Sequence, residues 1–378
     1  MLAAPLLVLF APVVLAIPAP QLDLTPSHSK GDSDPARFKY YENPDALQGP
    51  CDITTGPDGS IWTQNFLDNS ISRIHINSGQ VTNYPVPYSP DQLYNSSLPL
   101  TGRIAFACAI QPGKDGNLYA ATGIRSQFLK INPKTGFIKV FTPPVPNFPF
   151  LGNIQPFNDL WAGETGMWYT LTTTGTLYHF NYATEEFDGV YPLPTPLNGV
   201  VGAFVSKIDG NVWLAEMLGQ AITKFDPRTK QFTRYPLPLT GLGIVVVRAE
   251  TENRYIWFTG FLSNSNVRFD TRTQKIDVFT APIPASFPTE NTVDPRGRYW
   301  YSTATTNTIQ YLDANNEAVI IDMPDNGVTL PIGIPPGLNI AIHSGPDNAI
   351  YFSQSDLVEP STVTNMKRED TQQLRLMP

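Results

Sequence analysis

Short apolar, aromatic and β-branched runs alternate with tight polar turns along this chain, a pattern that predicts strands rather than helices. One residue sets the period. An aromatic side chain follows a turn and opens a short strand at Trp62, Tyr119, Trp168, Trp213, Trp257, Trp300 and Tyr351, at intervals of 43 to 57 residues. That is the spacing of four-stranded propeller blades. Several anchors follow a hairpin pair, as in Asp58-Gly59, Asp115-Gly116 and Asp209-Gly210, the strongest short hairpin signal. The fourth repeat, GNVWLAEMLGQAITKFDPRTKQFTRYPLP, shows the unit best: a strand ending at Glu216, a second over 221–225, a turn at 226–229, and a third running to Tyr235.

The outer strands end in prolines: YPVP (84–87), FTPP (141–144), YPLP (191–194), YPLP (235–238), FTAP (279–282) and IDMP (321–324). Proline suits an outermost strand, where no neighbour needs its missing N–H. Six such strands serve seven anchors, and the seventh lies upstream, in Phe38-Lys39-Tyr40-Tyr41-Glu42-Asn43-Pro44. The expected fold is therefore all-β, a seven-bladed β-propeller closed by an N-terminal outer strand. It spans 37–365, after a disordered segment at 17–36 and before a flexible tail at 366–378. Proline-rich crossovers such as 142–150 are expected to form one rim.

Residues 1–16 read as a signal peptide, with an apolar run from Leu2 to Leu15 too short to cross a bilayer and a small-residue cleavage site at Val14-Leu15-Ala16. The mature chain is thus expected to be secreted or in the secretory lumen. Its net charge of −8 and lack of basic runs argue against nucleic acid and anionic membranes as partners. Asn95-Ser96-Ser97 is a glycosylation sequon.

Repeat one, GPCDITTGPDGSIWTQNFLDNSISRI (49–74), and repeat four resemble the repeats of the streptogramin B lyases (virginiamycin B lyase), of the form P-H-G-I-x-x-G-P-D-G-x-x-W-F-T-E followed by I-G-R-I. The resemblance covers nearly the whole mature chain. It implies a lyase that opens a cyclic depsipeptide ester by elimination, using Mg²⁺ with His and Glu side chains at one channel mouth. This chain departs from that set. Where the repeat has His it has Cys51, Cys108, Asn158, Gly202 and Thr289. Where the repeat has Glu it has Asn65, Thr122, Leu171, Glu216, Gly260, Thr303 and Gln354. No metal site or cofactor motif is expected. A base and an enolate stabiliser are what such a lyase requires, and Glu216 is the one acid at a family position.

Cys51 and Cys108 align in neighbouring repeats, so they read either as a disulfide across the channel mouth or as two buried apolar thiols. Four acids, Asp52, Asp159, Glu216 and Glu290, stand near the expected mouth. Each reads either as a catalytic group, with Glu216, Asp52 and Glu290 as candidates, or as an acceptor for free backbone N–H groups. The opening itself is expected to be walled by aromatic and apolar side chains: Phe66, Phe106, Phe157, Trp161, Phe204, Phe261, Leu218 and Leu262. Asn65, Asn158, Asn291 and Gln354 would bind a ligand's oxygens. Such a mouth suits a bulky apolar ligand of terpenoid or polyketide type.

Three functions fit. Secreted fungal propellers similar to the streptogramin lyases include hetero-Diels–Alderases that join a tropolone quinone methide to humulene. That cofactor-independent chemistry asks for a shaped pocket and hydrogen bonds to the heterodiene oxygen. The alternatives are a lyase or lactonase opening a cyclic ester, and a non-catalytic ligand-binding propeller.

Overall fold

The computed structural model describes residues 28–43, 49–66, 68–87, 108–123, 127–144, 158–323, 337–356 and 362–366. Seven sheets radiate from one axis, and we number these blades one to seven along the chain. Their inner strands are Pro50–Thr55, Ile110–Pro112, Leu160–Ala162, Val200–Val205, Ile244–Thr251, Pro288–Val293 and, in blade seven, Gly337–Leu338 with Ile342–Ser344. Each blade is an antiparallel meander from the axis outward.

The anchors open the second strands, and local chemistry explains why they recur. Trp62 Nε1 donates to Asp58 Oδ1 at 2.9 Å and Trp213 Nε1 to Asp209 Oδ1 at 3.2 Å. The Tyr119 and Tyr351 hydroxyls donate to Asp115 and Asp347 at 2.8 and 3.0 Å. The turn aspartate thus satisfies the polar end of a ring whose body packs between blades. Gly59, Gly116 and Gly210 follow these aspartates at φ +75°, +82° and +70°, where a side chain would be strained.

The ring closes as the sequence predicts. Phe38–Glu42 is the outer strand of blade seven, paired antiparallel with Thr362–Met366 from Phe38↔Met366 to Glu42↔Thr362. One expectation needs correction. The stretch 17–36 is not disordered throughout, because His28–Lys30 adds a parallel fifth strand to blade six, in register with Ala318–Ile320. Gly31 N donates to Ile320 O, and a Cβ on Gly31 would lie 2.6 Å from the Ile321 side chain. Glycine here lets the strap lie flat on the blade. The N-terminus therefore latches two adjacent blades. Among the described residues no helix is long and apolar enough to cross a membrane.

Cys51 and Cys108 are joined in a disulfide, with Cα atoms 5.0 Å apart and a sequence separation of 57. The bond ties the inner strand of blade one to the start of blade two. By the loop-entropy estimate a closed loop of that length contributes about 4 kcal/mol. Replacing both cysteines with serine should lower Tm in scanning calorimetry. Reductant should reproduce the loss in the wild-type protein and add nothing in the variant.

Candidate channel-axis and rim site

An innermost strand has a neighbour on one side only, so its other edge faces the channel with bare N–H and C=O groups. Side chains from adjacent blades meet them. Asp52 Oδ2 of blade one accepts from Ile110 N of blade two at 2.6 Å, and Asp159 Oδ2 of blade three from Ala203 N of blade four at 3.2 Å. Asn291 Oδ1 of blade six accepts from Arg248 N of blade five at 2.9 Å. Thr259 donates to Thr289 O at 2.7 Å and Ser302 to Ile340 O at 2.6 Å, each across a blade boundary.

Arg248, which carries no role in the sequence reading, organises this layer. It sits at an irregularity in the longest inner strand, between the pairs Val247↔Phe258 and Ala249↔Trp257. Such a bulge re-aims a side chain, and here the guanidinium crosses the axis. Nη1 meets Asp52 Oδ1 and lies 3.1 Å from Glu290 Oε1. Nη2 donates to Asp52 Oδ2 at 3.0 Å and Asp159 Oδ1 at 2.7 Å. One cation thus joins blades one, three, five and six. All four side chains are buried, the arginine being 6% exposed. His343, on the inner strand of blade seven, holds Thr55 Oγ1 at 2.8 Å.

Burial dominates the electrostatics. Desolvation pushes the Asp159 carboxyl up to about 6 against the pull of Arg248, with Asp52 reinforcing the rise. It likewise raises Asp52 and carries Glu290 well above the usual carboxylate range. Desolvation and then the Arg248 charge hold His343 down at about 4, so its ring is neutral near pH 7.

Three of the four sequence-predicted acids therefore converge: Asp52, Asp159 and Glu290. Glu216 does not join them. It ends the second strand of blade four, fully buried, and its Oε1 accepts from Thr223 at 2.5 Å while Oε2 accepts from Arg234 Nε at 3.2 Å. Asn65 turns the same way in blade one, donating to Ser70 and Ser72 at 2.8 and 2.9 Å, and Gln354 accepts from Thr364 in blade seven. These strand-end side chains hydrogen-bond within their own blades. Asn158 donates to the Tyr169 hydroxyl at 3.1 Å.

The expectation of an aromatic-walled opening also needs correction, since the axis is charged. Phe204 packs in the apolar core with Trp213, and Trp161 lies 4.9 Å from Phe204 between ring centroids. Both fill the space between blades. Apolar surface does appear at the rim. Phe66 is half-buried there, and Phe261 packs against Phe287 with the rings tilted and centroids 5.2 Å apart. Leu218 and Leu262 occupy equivalent turns of blades four and five, seated on Gly199 and Gly243 at φ +57° and +53°. With Leu197 and Leu239 in the crossovers leading to those glycines, they are 45–88% exposed. Phe106, Phe157 and Asn95 lie outside the described residues.

The Mg²⁺ that the resemblance implies does not fit this donor set. Among the described residues no three His, Cys, Asp or Glu side chains are grouped to hold a metal, and the convergent acids already answer to Arg248 and to backbone N–H groups.

Arg248→Met would leave three buried acids without their cation and should cost about 3–5 kcal/mol, read as a large drop in Tm. In the wild-type protein the folded state keeps the Glu290 proton that the unfolded chain has lost, so raising the pH favours unfolding. The other axis groups titrate in the wild-type protein and in Glu290→Gln alike, so the difference between the two isolates Glu290. As the pH rises from about 5 to 8, the wild-type protein should lose stability relative to Glu290→Gln. Chemical denaturation across that range reads both slopes.

No family profile matches the chain, nor does any curated protein. Solved structures do. A streptogramin B lyase superposes with a TM-score of 0.71 at 18% identity, covering 87% of this chain and 97% of the other. A catalytically inactive virginiamycin B lyase from Staphylococcus aureus with quinupristin superposes at 0.72 and 18%, covering 88% and 99%. U3-55K gives 0.66 at 9%, covering 89% and 100%. Likeness at these identities speaks for the fold, which serves many functions. The chain is a seven-bladed propeller similar in fold to the streptogramin B lyases.

Proposed function

We propose that this protein is a secreted enzyme of small-molecule metabolism, a hetero-Diels–Alderase that joins a tropolone quinone methide to a humulene-type polyene. The observation that carries this reading is the exposed apolar rim of blades four to six. Leu197, Leu218, Leu239 and Leu262, beside the Phe261–Phe287 pair, offer a hydrocarbon partner a surface to leave water for. Cycloaddition then asks for two partners held in register and a hydrogen bond to the oxygen where charge develops. It asks for no nucleophile. The apolar run at 2–15 and the disulfide support a secretory route.

A second reading, a lyase opening a cyclic ester, is favoured by the fold likeness to the virginiamycin lyases. Against it stands Glu216, the acid at the family position, which is enclosed by Thr223 and Arg234.

Purified protein mixed with a tropolone quinone-methide precursor and humulene should form adduct faster and more selectively than buffer does. Leu218→Asp with Leu262→Asp should cut that rate about tenfold, the effect of losing one well-buried apolar contact to each leucine, with Tm unchanged. Adduct formation no better than in buffer rejects the reading. Ring opening of quinupristin by the protein would transfer it to the lyase.

A further inference from the structure

The two N-terminal strands of the latch sit on adjacent blades, so residues 31–37 must step from blade six to blade seven. Against that step lies a cavity of about 40 Å³, room for a few atoms of water size. Trp300 and Tyr311 of blade six and Ile350 and Met366 of blade seven wall it. Arg37 of the strap and Arg296 and Arg298 of the first turn of blade six line it too, with Asp32 and Asp294. That turn precedes the second strand of its blade, whereas the turns bearing Leu218 and Leu262 follow theirs. The cavity is therefore at the opposite end of the blades from the leucine rim.

Arg298 is set for recognition before any ligand arrives. Its Nε donates to Asp294 Oδ2 at 2.7 Å, and its guanidinium carbon lies 4.4 and 5.2 Å from the ring centroids of Tyr311 and Trp300. These contacts fix the plane of the fork and leave Nη1 and Nη2 without a hydrogen-bond partner among the described residues. Arg296 donates only its backbone N–H, to Asp294 Oδ1 at 2.9 Å, and its guanidinium is likewise unmet. Asp294 has no more to give. Its Oδ1 accepts from the N–H groups of Arg296 and Arg298, and its Oδ2 from Arg298 Nε and Trp300 Nε1. Burial works to raise its carboxyl, but those hydrogen bonds and the Arg298 charge hold it below the ordinary carboxylate range. On the strap, Arg37 Nη1 donates to Asp32 O at 2.7 Å and lies 3.2 Å from Asp32 Oδ2.

Three cations and two acids thus line one cavity, leaving a single positive charge unanswered and guanidinium edges open beside it. A carboxylate fits that remainder. It carries one negative charge, and its two oxygens match the planar fork of an arginine. Phosphate, near two charges at neutral pH, would turn the excess negative beside Asp32 and Asp294. Chloride brings the charge but offers no pair of oxygens. We propose that the cavity between blades six and seven binds the carboxylate of a small organic acid, held by Arg296 and Arg298 and drawing Arg37 and its strap against the blades. The site is separate from the rim and independent of the cycloaddition reading.

The test titrates the full chain with acetate in isothermal titration calorimetry, with chloride and phosphate at matched ionic strength as controls. Acetate should bind in the millimolar range, as suits a ligand held by charge-assisted hydrogen bonds at a half-open site. Chloride should not bind, and phosphate should bind more weakly than acetate. Arg298→Lys, which keeps the charge and loses the fork, should weaken acetate about tenfold. Because Arg298 also packs on two rings, Arg296→Gln serves as the second variant. It removes an exposed guanidinium with no partner, so it should weaken acetate about fivefold and leave Tm in chloride unchanged. Hydrogen exchange gives an independent readout: acetate should slow the amides of Asp34, Ala36 and Arg37 in the wild-type protein and not in Arg296→Gln. No acetate binding by the folded protein, equal binding by Arg296→Gln, or strap exchange slowed as much by chloride overturns the proposal. Tighter binding of phosphate than of acetate overturns the choice of a carboxylate.

Discussion

Seven sheets sharing one axis create a problem that each sheet lacks alone: seven unpaired inner edges meet where water is scarce. Every bare N–H and C=O there must find a partner or carry the cost of a buried unmet group. The partners are short polar side chains reaching across blade boundaries, among them Asp52 to Ile110, Asp159 to Ala203, Asn291 to Arg248 and Ser302 to Ile340. Using carboxylates for this task brings negative charge to the axis. Arg248 is the counterweight, and the rest of the channel follows from it. It draws acids from three other blades onto one guanidinium, so the ring is held by an internal ion cluster as well as by the latch of its N-terminal strands.

What could be seen in the sequence divides along the range of the interactions. The blades were legible because their signature is local. An aspartate and an aromatic four residues later form one hydrogen-bonded turn, and the residue after the aspartate takes a positive φ, as Gly59, Gly116, Gly210 or Asn348. The closing strand was legible for a similar reason, since Tyr40-Tyr41-Glu42-Asn43-Pro44 repeats the ending of the other outer strands. The disulfide stood as one of two alternatives from the alignment of Cys51 with Cys108. The axis was not legible. Arg248 and Asp52 are 196 residues apart, and the bulge that aims the arginine inward shifts it off the position that alignment to Trp257 would give. One clue was present, a lone arginine inside the apolar run Ile244-Val245-Val246-Val247, because a charge in a buried strand calls for a partner. His343, after Ala341-Ile342, is a clue of the same kind.

The same limit hides where the aromatic side chains go. Aromatic residues near the start of an inner strand can point toward a neighbouring blade or toward the rim, and composition does not distinguish the two. Phe204 and Trp161 went to the interblade core, whereas Phe261 went to the rim with Phe287, a residue of the next crossover. Leu218 and Leu262 reach the surface because the glycines beneath them leave room and take backbone angles that a larger residue would resist.

Charge on the axis and hydrocarbon at the rim give this propeller a division that the fold by itself does not dictate. A metal-dependent mouth would need its acids anionic and free to turn toward the cation. Here Asp52 and Asp159 are anchored by backbone N–H groups and by Arg248, and Glu216 is enclosed within its own blade. Apolar surface stays exposed at the rim, in Leu197, Leu218, Leu239 and Leu262. The proposed cycloaddition asks for such a surface and for two partners held in register, where a lyase asks for a strong base.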